Sequence, residues 1–344
     1  MMNTSYSSRV QAPNSSLDSS SPNDTVSLNC MQQDTVDDRT VGRRSRNYQK
    51  TQKIYEKISR PFFISTYNVR SLTEGWKQHE LVAKAFEFNI PVIALQEHRI
   101  KNKPTLIIDG YKFLLSPPKD RRILGVGFLR LLSPWAQRCY IEHKIISDRS
   151  MYVSFTGHVR INVITCHAPH NASTDTEMED FYNGLSSCVQ SFCPHDINII
   201  AGDHNAHLGS DICNKNAFYS TTNRNGQLLV DFAQENSLSI ASLKFNKKKS
   251  KKVTWTAPNG QLHQNDHILI SSKWQNSLQN CESYIRPSVQ SDHRILTATF
   301  KLSLRSNIKK PRVIRYDWSS LKTDRQVKTD FTISLHNRFK RECY

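Results

Sequence analysis

The segment 197–208, INIIAGDHNAHL, constrains the fold of this chain more than any other segment. Five mostly apolar residues lead into Gly202, and the polar residues Asp203 and Asn205 follow closely. A short apolar run that stops at a glycine is typical of a buried strand ending at the rim of a sheet. Ligands of α/β proteins bind at such strand ends, but Asp and Asn also form turns through their own backbone. The segment alone therefore leaves both a functional strand end and an ordinary turn open.

Polar residues also stand at the ends of other predicted strands. Carboxylate, amide or imidazole side chains precede or follow each of five apolar runs, at 62–66, 92–95, 160–166, 267–271 and 295–302. The residues concerned are Asn68, Glu97, His167, Asp266, Asp292 and His293. This recurrence predicts that several strand ends converge on one pocket. Carboxylate and amide oxygens without cysteine suit Mg²⁺ or Mn²⁺, ions that also bind substrate phosphates.

Many short strands with few helices between them predict an α/β fold, in which two sheets pack together and helices lie outside. We expect the folded domain at residues 59–305. The preceding segment, 1–58, is Ser- and Asn-rich and then basic, and its first part is predicted to be disordered because it cannot bury enough apolar surface. Residues 306–344 are expected to form a linker or the truncated start of a following region.

The charge of the chain indicates a polyanionic partner. There are 47 Lys and Arg residues against 30 Asp and Glu, a formal net charge of +17, which favours nucleic acid first and an anionic membrane second. Candidate nucleic-acid contacts are Arg70, Arg99, Lys247, Lys248, Lys249, Lys251, Lys252 and Trp255. The lysine run is also typical of a solvated loop, and Trp255 is also typical of a core residue. We expect DNA as the partner, with no membrane and no small-molecule cofactor.

The cysteines and the apolar runs indicate an intracellular protein. None of the eight cysteines forms a C-x-x-C pair, so reduced, partly buried thiols are expected. The N-terminus lacks an apolar signal core, and no apolar run approaches the roughly 20 residues of a membrane helix. The expected location is the nucleus or the cytoplasm.

Seven short motifs occur in the order of the endonuclease/exonuclease/phosphatase superfamily: TYNVR (66–70), QEHR (96–99), CHAP (166–169), GDHNA (202–206), TW (254–255), NDHILI (265–270) and SDH (291–293). Residues 62–300 most resemble the apurinic-endonuclease-like domain of non-LTR (LINE-type) retrotransposons. The resemblance implies a deoxyribonuclease-I-like four-layer α/β/β/α sandwich, with two mixed sheets flanked by helices. It also implies a Mg²⁺-dependent endonuclease that nicks DNA to prime insertion. The tail 316–339 resembles the linker before a reverse transcriptase, and no polymerase motif follows, so a truncated or partial copy is expected.

The resemblance assigns a role to each matching residue. Glu97 matches the metal-binding glutamate, Asn68 lies beside it or at the metal, and Asp292 lies near the metal. Asp203 matches the aspartate that orients or deprotonates the attacking water, and Asn205 the amide that holds the scissile phosphate. His293 matches the histidine that contacts the phosphate, and Asp266 the carboxylate that orients this histidine. An Asp–His pair is chemically sound by itself, because the carboxylate fixes the imidazole tautomer and favours the charged ring.

Three residues depart from the family pattern. His167 stands where the family has tyrosine, His204 where it has an aromatic residue, and Asn265 where it has an apolar one. His167 remains a candidate catalytic donor to phosphate. Other histidines are expected at the surface or in turns: His98, His170, His204 and His207.

Two alternatives stay open beside the DNA endonuclease. One is a phosphodiesterase of the same fold that acts on RNA, abasic DNA or a phospholipid head group. The other is a decayed, non-catalytic copy that binds nucleic acid through its basic surface.

Overall fold

The computed structural model of this chain describes residues 61–119, 124–284, 289–302 and 318–341, apart from the side chains of 320, 340 and 341. The predicted segment 1–58 lies outside these ranges, as do residues 306–317 and 342–344 of the predicted linker, and the domain boundaries at 59 and 305 stay predictions. Within the described ranges no helix combines the length and the apolar content that crossing a bilayer requires.

The described structure contains fifteen strands, six α-helices and three short 3₁₀ helices, the last at Ala241–Lys244, Lys249–Lys251 and Ser272–Ser277. The strands are β1 (Phe62–Asn68), β2 (Val92–Gln96), β3 (Thr105–Ile108), β4 (Tyr111–Leu115), β5 (Val126–Leu131), β6 (Tyr140–Ser147), β7 (Ser150–Phe155), β8 (Ile161–His167), β9 (Ile197–Asp203), β10 (Leu238–Ile240), β11 (Trp255–Thr256), β12 (Leu262–His263), β13 (Asp266–Ser271), β14 (Leu278–Tyr284) and β15 (Ile295–Phe300). The helices are α1 (Gly75–Glu87), α2 (Pro134–Cys139), α3 (Asp175–Ser191), α4 (Arg224–Glu235), α5 (Trp318–Thr323) and α6 (Arg325–Arg341).

Two mixed sheets form the centre of the fold. The first has seven strands in the order β14-β15-β1-β2-β5-β4-β3, and the second has six in the order β10-β13-β9-β8-β7-β6. A two-stranded ribbon of β11 and β12 lies outside both sheets. Ile64 and Phe128 of the first sheet share one buried cluster with Val163 and Ile199 of the second, so the two sheets pack face to face.

Helices cover the outer faces of both sheets. Leu81 and Val82 of α1 pack against Leu95 on the first sheet, while Met178 of α3 and Leu229 of α4 pack on the second. Strands covered on both faces need apolar residues at nearly every position, which explains the almost continuous apolar run of β9. The predicted two-sheet sandwich with external helices is confirmed.

Strand register brings the polar strand ends together. β1 and β2 are parallel, so Asn68 lies beside Gln96 at their carboxyl ends. β8 and β9 are also parallel, with His167 opposite Asp203. β13 runs antiparallel to β9, and its first residue, Asp266, pairs with the last residue of β9.

Gly202 is required by the close approach of β8 and β9. A Cβ at this position would lie 2.1 Å from the carbonyl oxygen of Cys166, its cross-strand partner. The glycine therefore allows the backbone of β9 to reach Asp203 without displacing β8.

Candidate active site

A buried Asp–His–Asp chain lies at the centre of the site. His293 Nδ1 lies 2.9 Å from Asp266 Oδ2, within hydrogen-bond distance. On the other side of the ring, His293 Nε2 lies 3.8 Å from Asp203 Oδ2. Asp203 and Asp266 are almost completely buried. The imidazole thus lies between two carboxylates from neighbouring strands.

The electrostatics of this chain favour a charged imidazole. Burial raises the pKa of Asp266 to about 6. Burial by itself would lower the pKa of His293, but the negative charges of Asp266 and Asp203 outweigh it and raise that pKa to about 9. For Asp203, burial raises the pKa, whereas His293, His167 and hydrogen bonds lower it, and the net pKa lies below its ordinary value. At neutral pH the site therefore holds an imidazolium between two carboxylates.

Hydrogen bonds hold His293 and Asp266 in position. The Ser291 hydroxyl donates to the Asn68 carbonyl at 2.7 Å and accepts the His293 N–H at 3.1 Å, which ties the loop to the end of β1. The Thr254 hydroxyl accepts the backbone N–H of Asp266 at 3.1 Å. Ser291 and Thr254 lie inside the SDH and TW motifs, although neither residue was predicted to have a role.

Asn68 joins the two acidic residues of the site. Its Nδ2 donates to Glu97 Oε1 at 3.0 Å and to Asp203 Oδ2 at 3.0 Å. Its Oδ1 accepts the backbone N–H of Arg70. The amide oxygen is thus turned away from the carboxylates, and Asn68 acts here as a donor that positions them. Of the two predicted positions of Asn68, beside the metal-binding glutamate or at the metal, this arrangement favours the first.

Several site residues have left-handed backbone conformations just beyond the strand ends. The φ angles are 56° at Arg70, 55° at Glu97, 56° at Arg99 and 48° at Asn205. Such values are uncommon for residues other than glycine and mark functional turns when they cluster. The Glu97 turn directs its carboxylate toward Asn68, while Arg99 Nη2 lies 3.2 Å from the other Glu97 oxygen.

His98 supports the Glu97 turn from below. Its Nδ1 accepts the Ile100 N–H at 3.0 Å, and its Nε2 lies 2.8 Å from the Ser116 carbonyl oxygen. A Cβ on Gly125 would lie 2.5 Å from the same ring, so the ring is tightly enclosed. His98 does lie in a turn, but it is not at the surface, because these contacts bury its side chain completely.

His204 is also buried, contrary to the expectation from sequence. Its Nε2 lies 3.6 Å from Cys166 Sγ, and burial lowers the pKa of the ring to about 3. The ring therefore packs as a neutral core residue behind Asp203. The next residue, Asn205, faces the pocket: its backbone N–H donates to Asp203 Oδ1, and its Nδ2 donates to the Ala168 carbonyl at 2.9 Å.

His167 lies beside Glu97 at the end of β8. Its Nε2 is 3.8 Å from Glu97 Oε1 and has no hydrogen-bond partner among the described residues. Burial lowers the pKa of the ring, against the opposing effect of Asp203 and Glu97. The structure thus places a neutral imidazole nitrogen next to the carboxylate.

A pocket of about 540 Å³ opens above these groups. Its lining includes seven of the sixteen predicted site residues: Arg70, Glu97, Asp203, Asn205, Trp255, Asp292 and His293. Trp255 Nε1 donates to Asp292 Oδ2 at 3.3 Å, and Arg70 lies 3.8 Å from the same carboxylate. The predicted metal ligand Asp292 is therefore paired with an indole and a guanidinium in this structure.

Sequence reasoning missed part of the pocket wall. The added residues are His170, Asn171, His207 and Asn223. His170 and Asn171 directly follow the CHAP motif, and their position next to this motif could have predicted that they line the pocket. The sequence could not predict Asn223 as a pocket residue, because an asparagine at this position is explained by its side chain capping the N-terminus of α4.

The lysine run lies outside the pocket lining. Lys247 and Lys251 lie 3.3 and 3.9 Å from Glu282. Lys252 is buried, and its ammonium donates to the Asn216 carbonyl. This contact turns the Lys252 ammonium away from solvent and argues against the predicted contact with DNA. Lys248 and Lys249 remain exposed.

The donor set fits a hard divalent cation. Ligand atoms of Asp203, Asp266 and His293 lie within 4.8 Å of one another, but an imidazolium hydrogen-bonded to Asp266 has no free lone pair for a metal. The carboxylate of Glu97 is the better candidate, and the ionised carboxylate of Asp203 lies on the other side of the Asn68 amide. Oxygen donors of this kind match the preference of Mg²⁺ and Mn²⁺.

This architecture, with two mixed sheets flanked by helices and polar strand ends at one pocket, is the deoxyribonuclease-I-like fold. The endonuclease domain of TRAS1, a telomere-specific non-LTR retrotransposon, has a TM-score of 0.52 at 13% identity, covering 71% of this chain and 99% of that domain. An AP endonuclease from Leishmania major has a TM-score of 0.57 at 14% identity, covering 71% of this chain and 89% of that enzyme.

The sequence is similar to two mammalian proteins. Craniofacial development protein 2 of Tragulus javanicus is 27% identical over 259 residues, which cover 74% of this chain and 45% of that protein. The protein of the same name from Bos taurus is 26% identical over 274 residues, covering 78% of this chain and 46% of that protein. This chain therefore spans about half the length of the curated relatives it matches. No protein-family model matches the sequence.

Proposed function

We propose that this chain is a divalent-metal-dependent phosphodiesterase that cuts DNA internally. The observation that carries the proposal is the buried His293–Asp266 pair, which faces Asp203 and lies in one pocket with Glu97. A carboxylate base, a charged imidazole and a metal-binding carboxylate in one pocket can activate water and offset charge on a phosphoryl group.

Each residue has a role that its contacts support. Asp203 is ionised at neutral pH and orients or deprotonates the attacking water. The His293 imidazolium donates to a phosphate oxygen and stabilises the negative charge that develops in the transition state. Asp266 keeps this ring charged and correctly oriented. Asn205 uses one amide hydrogen on Ala168, which leaves a second hydrogen for the scissile phosphate.

Glu97 would hold Mg²⁺ or Mn²⁺, with Asn68 positioning its carboxylate. When bound, the ion supplies charge compensation for the phosphoryl oxygens. A role for Asp292 near the ion stays a prediction, since its carboxylate contacts Trp255 and Arg70.

DNA is the proposed substrate. The chain carries a formal net charge of +17, and the half-exposed Arg70 and Arg99 flank the acidic site. The ordered motifs resemble those of LINE-type retrotransposons, and the TRAS1 endonuclease domain shares the fold. These observations support target-site nicking in the nucleus as the finer form of the proposal.

Nicking of supercoiled plasmid tests the proposal. We expect Mg²⁺-dependent nicking that falls by about 10²- to 10³-fold in His293→Ala, because the transition state loses a charged donor. Glu97→Gln should also abolish the Mg²⁺-dependent nicking, because the carboxylate that would hold the ion is lost. His158→Ala is the matched control, because this exposed histidine lies in the turn before β8, at the opposite end of the strand from His167.

Two outcomes would contradict the proposal. Nicking that persists unchanged in both His293→Ala and Glu97→Gln would assign the activity to a contaminant. Intact plasmid, together with binding that weakens steeply with salt, would favour a non-catalytic nucleic-acid-binding protein, since log affinity falls by about 0.9 per phosphate contact per log unit of salt.

A further inference from the structure

We propose that His167 is a nitrogen ligand of the divalent cation held by Glu97. The inference deepens the proposed function and rests on it in one respect, namely that Glu97 binds a metal ion. It assigns His167 a direct role at the metal, instead of the donation to phosphate predicted from sequence.

The first argument is the position of the His167 ring. β8 ends at this residue, and the parallel register with β9 places it opposite Asp203. The side chain is only 5% exposed, so water reaches it poorly. Its Nε2 nevertheless has no hydrogen-bond partner among the described residues. A buried polar atom without a partner is unfavourable and calls for an explanation.

The second argument is the distance to Glu97. Nε2 and Glu97 Oε1 are 3.8 Å apart, which is too long for a hydrogen bond, since these rarely exceed about 3.2 Å. Two ligands of one ion of this kind lie at most about 4.2 Å apart, because each bond is about 2.1 Å long. The observed gap lies below this limit, and adjacent ligands of an octahedral ion lie about 3.0 Å apart, so a closure of under 1 Å would let both atoms bind one cation.

The third argument is the fixed orientation of Glu97. Asn68 donates to the same carboxylate oxygen, and Arg99 lies near the other oxygen. The carboxylate is thus held in place, and the strand register holds the His167 backbone. The distance between the two side chains is therefore determined by the fold.

A nitrogen ligand changes the metal preference of the site. Mg²⁺ favours oxygen ligands, whereas divalent ions of the first transition row bind sites that include nitrogen ligands, with Mn²⁺ the weakest of the series. We therefore expect His167 to raise the affinity for Mn²⁺ relative to Mg²⁺. Replacement of His167 should weaken Mn²⁺ binding by about 10-fold or more, with a smaller effect on Mg²⁺.

Electron paramagnetic resonance of the full chain with Mn²⁺ tests this assignment. Pulsed measurements should detect ¹⁴N coupling from an imidazole in the wild-type protein, and ¹⁵N-histidine labelling should change that coupling. His167→Gln and His167→Tyr should both lose it while still binding Mn²⁺. His170→Gln is the control, because this neighbouring ring packs edge-on at 6.3 Å from His167 and should leave the coupling intact.

The possible results separate this inference from the proposed function. Mn²⁺ that binds in a Glu97-dependent way without ¹⁴N coupling would overturn the role of His167 and leave the metal site standing. Mn²⁺ that fails to bind, or binds equally to Glu97→Gln, would overturn both. Circular dichroism checks that each variant folds. If the His167 variants do not fold, the assignment is tested by the ¹⁴N coupling of the labelled wild-type protein and by its persistence in His170→Gln.

Discussion

Replacement of Gly202 by alanine tests whether the close approach of β8 and β9 builds the site. The added Cβ would lie 2.1 Å from the Cys166 carbonyl oxygen and 2.7 Å from Cys166 Sγ. Contacts below 3.0 Å are not tolerated, so the two strands must separate. Because the clash involves backbone, we expect a loss of about 3 kcal/mol, the upper part of the usual range for overpacking.

Urea unfolding followed by circular dichroism measures this loss. Gly184→Ala is the matched control, since its Cβ would meet nothing within 4 Å in the middle of α3. Alanine in a helix should stabilise the protein by about 0.5–1 kcal/mol. The two variants should therefore shift in opposite directions, with Gly202→Ala melting roughly 6–10 °C below the wild type. Equal stability of Gly202→Ala and the wild type would refute the argument.

Three further predictions follow from buried charges and a helix cap. Burial lowers the pKa values of His98 and His267 to about 4. In the unfolded chain both rings bind a proton near pH 6.5, whereas in the folded chain they stay neutral until about pH 4. The free energy of unfolding should therefore fall by roughly 2 kcal/mol per histidine between pH 6.5 and 5. Urea midpoints that stay constant over this range would contradict the prediction. Thr174→Ala removes the hydroxyl that caps α3 and should cost about 1 kcal/mol in the same assay. Asp266→Asn removes the charge 2.9 Å from His293, so the imidazole titration followed by NMR should move below pH 9, and an unchanged midpoint would assign the raised pKa to another group.

The sequence was sufficient to predict the sandwich and the convergence of its strand ends. β9 reads as a strand buried on both faces because nearly every position is apolar. Asp203 and Asp266 lie at the polar ends of two such runs, and pairing of the runs places these residues opposite each other. β3, β10 and the short helix α2 were not predicted, since each offers only a few residues of pattern.

Contacts between distant segments explain what the sequence could not show. His98 follows Glu97 in a polar tetrapeptide, and nothing local reveals that the Ser116 carbonyl and Gly125 enclose its ring. Lys252 belongs to a basic run, yet a carbonyl 36 residues earlier in the chain holds its ammonium. Burial of these side chains depends on tertiary packing, which overrides the local signal.

The left-handed turns after β1, β2 and β9 lower the stability of the fold but position side chains of the pocket. An L-amino acid other than glycine in this conformation costs about 1–2 kcal/mol. Glycine at position 97 or 205 would remove that cost, and it would also remove the carboxylate or the amide that faces the pocket. For stability alone, glycine would thus be the better residue at both positions. This chain has Glu97 and Asn205 at these positions, so its pocket gains a carboxylate and an amide at the expense of backbone stability.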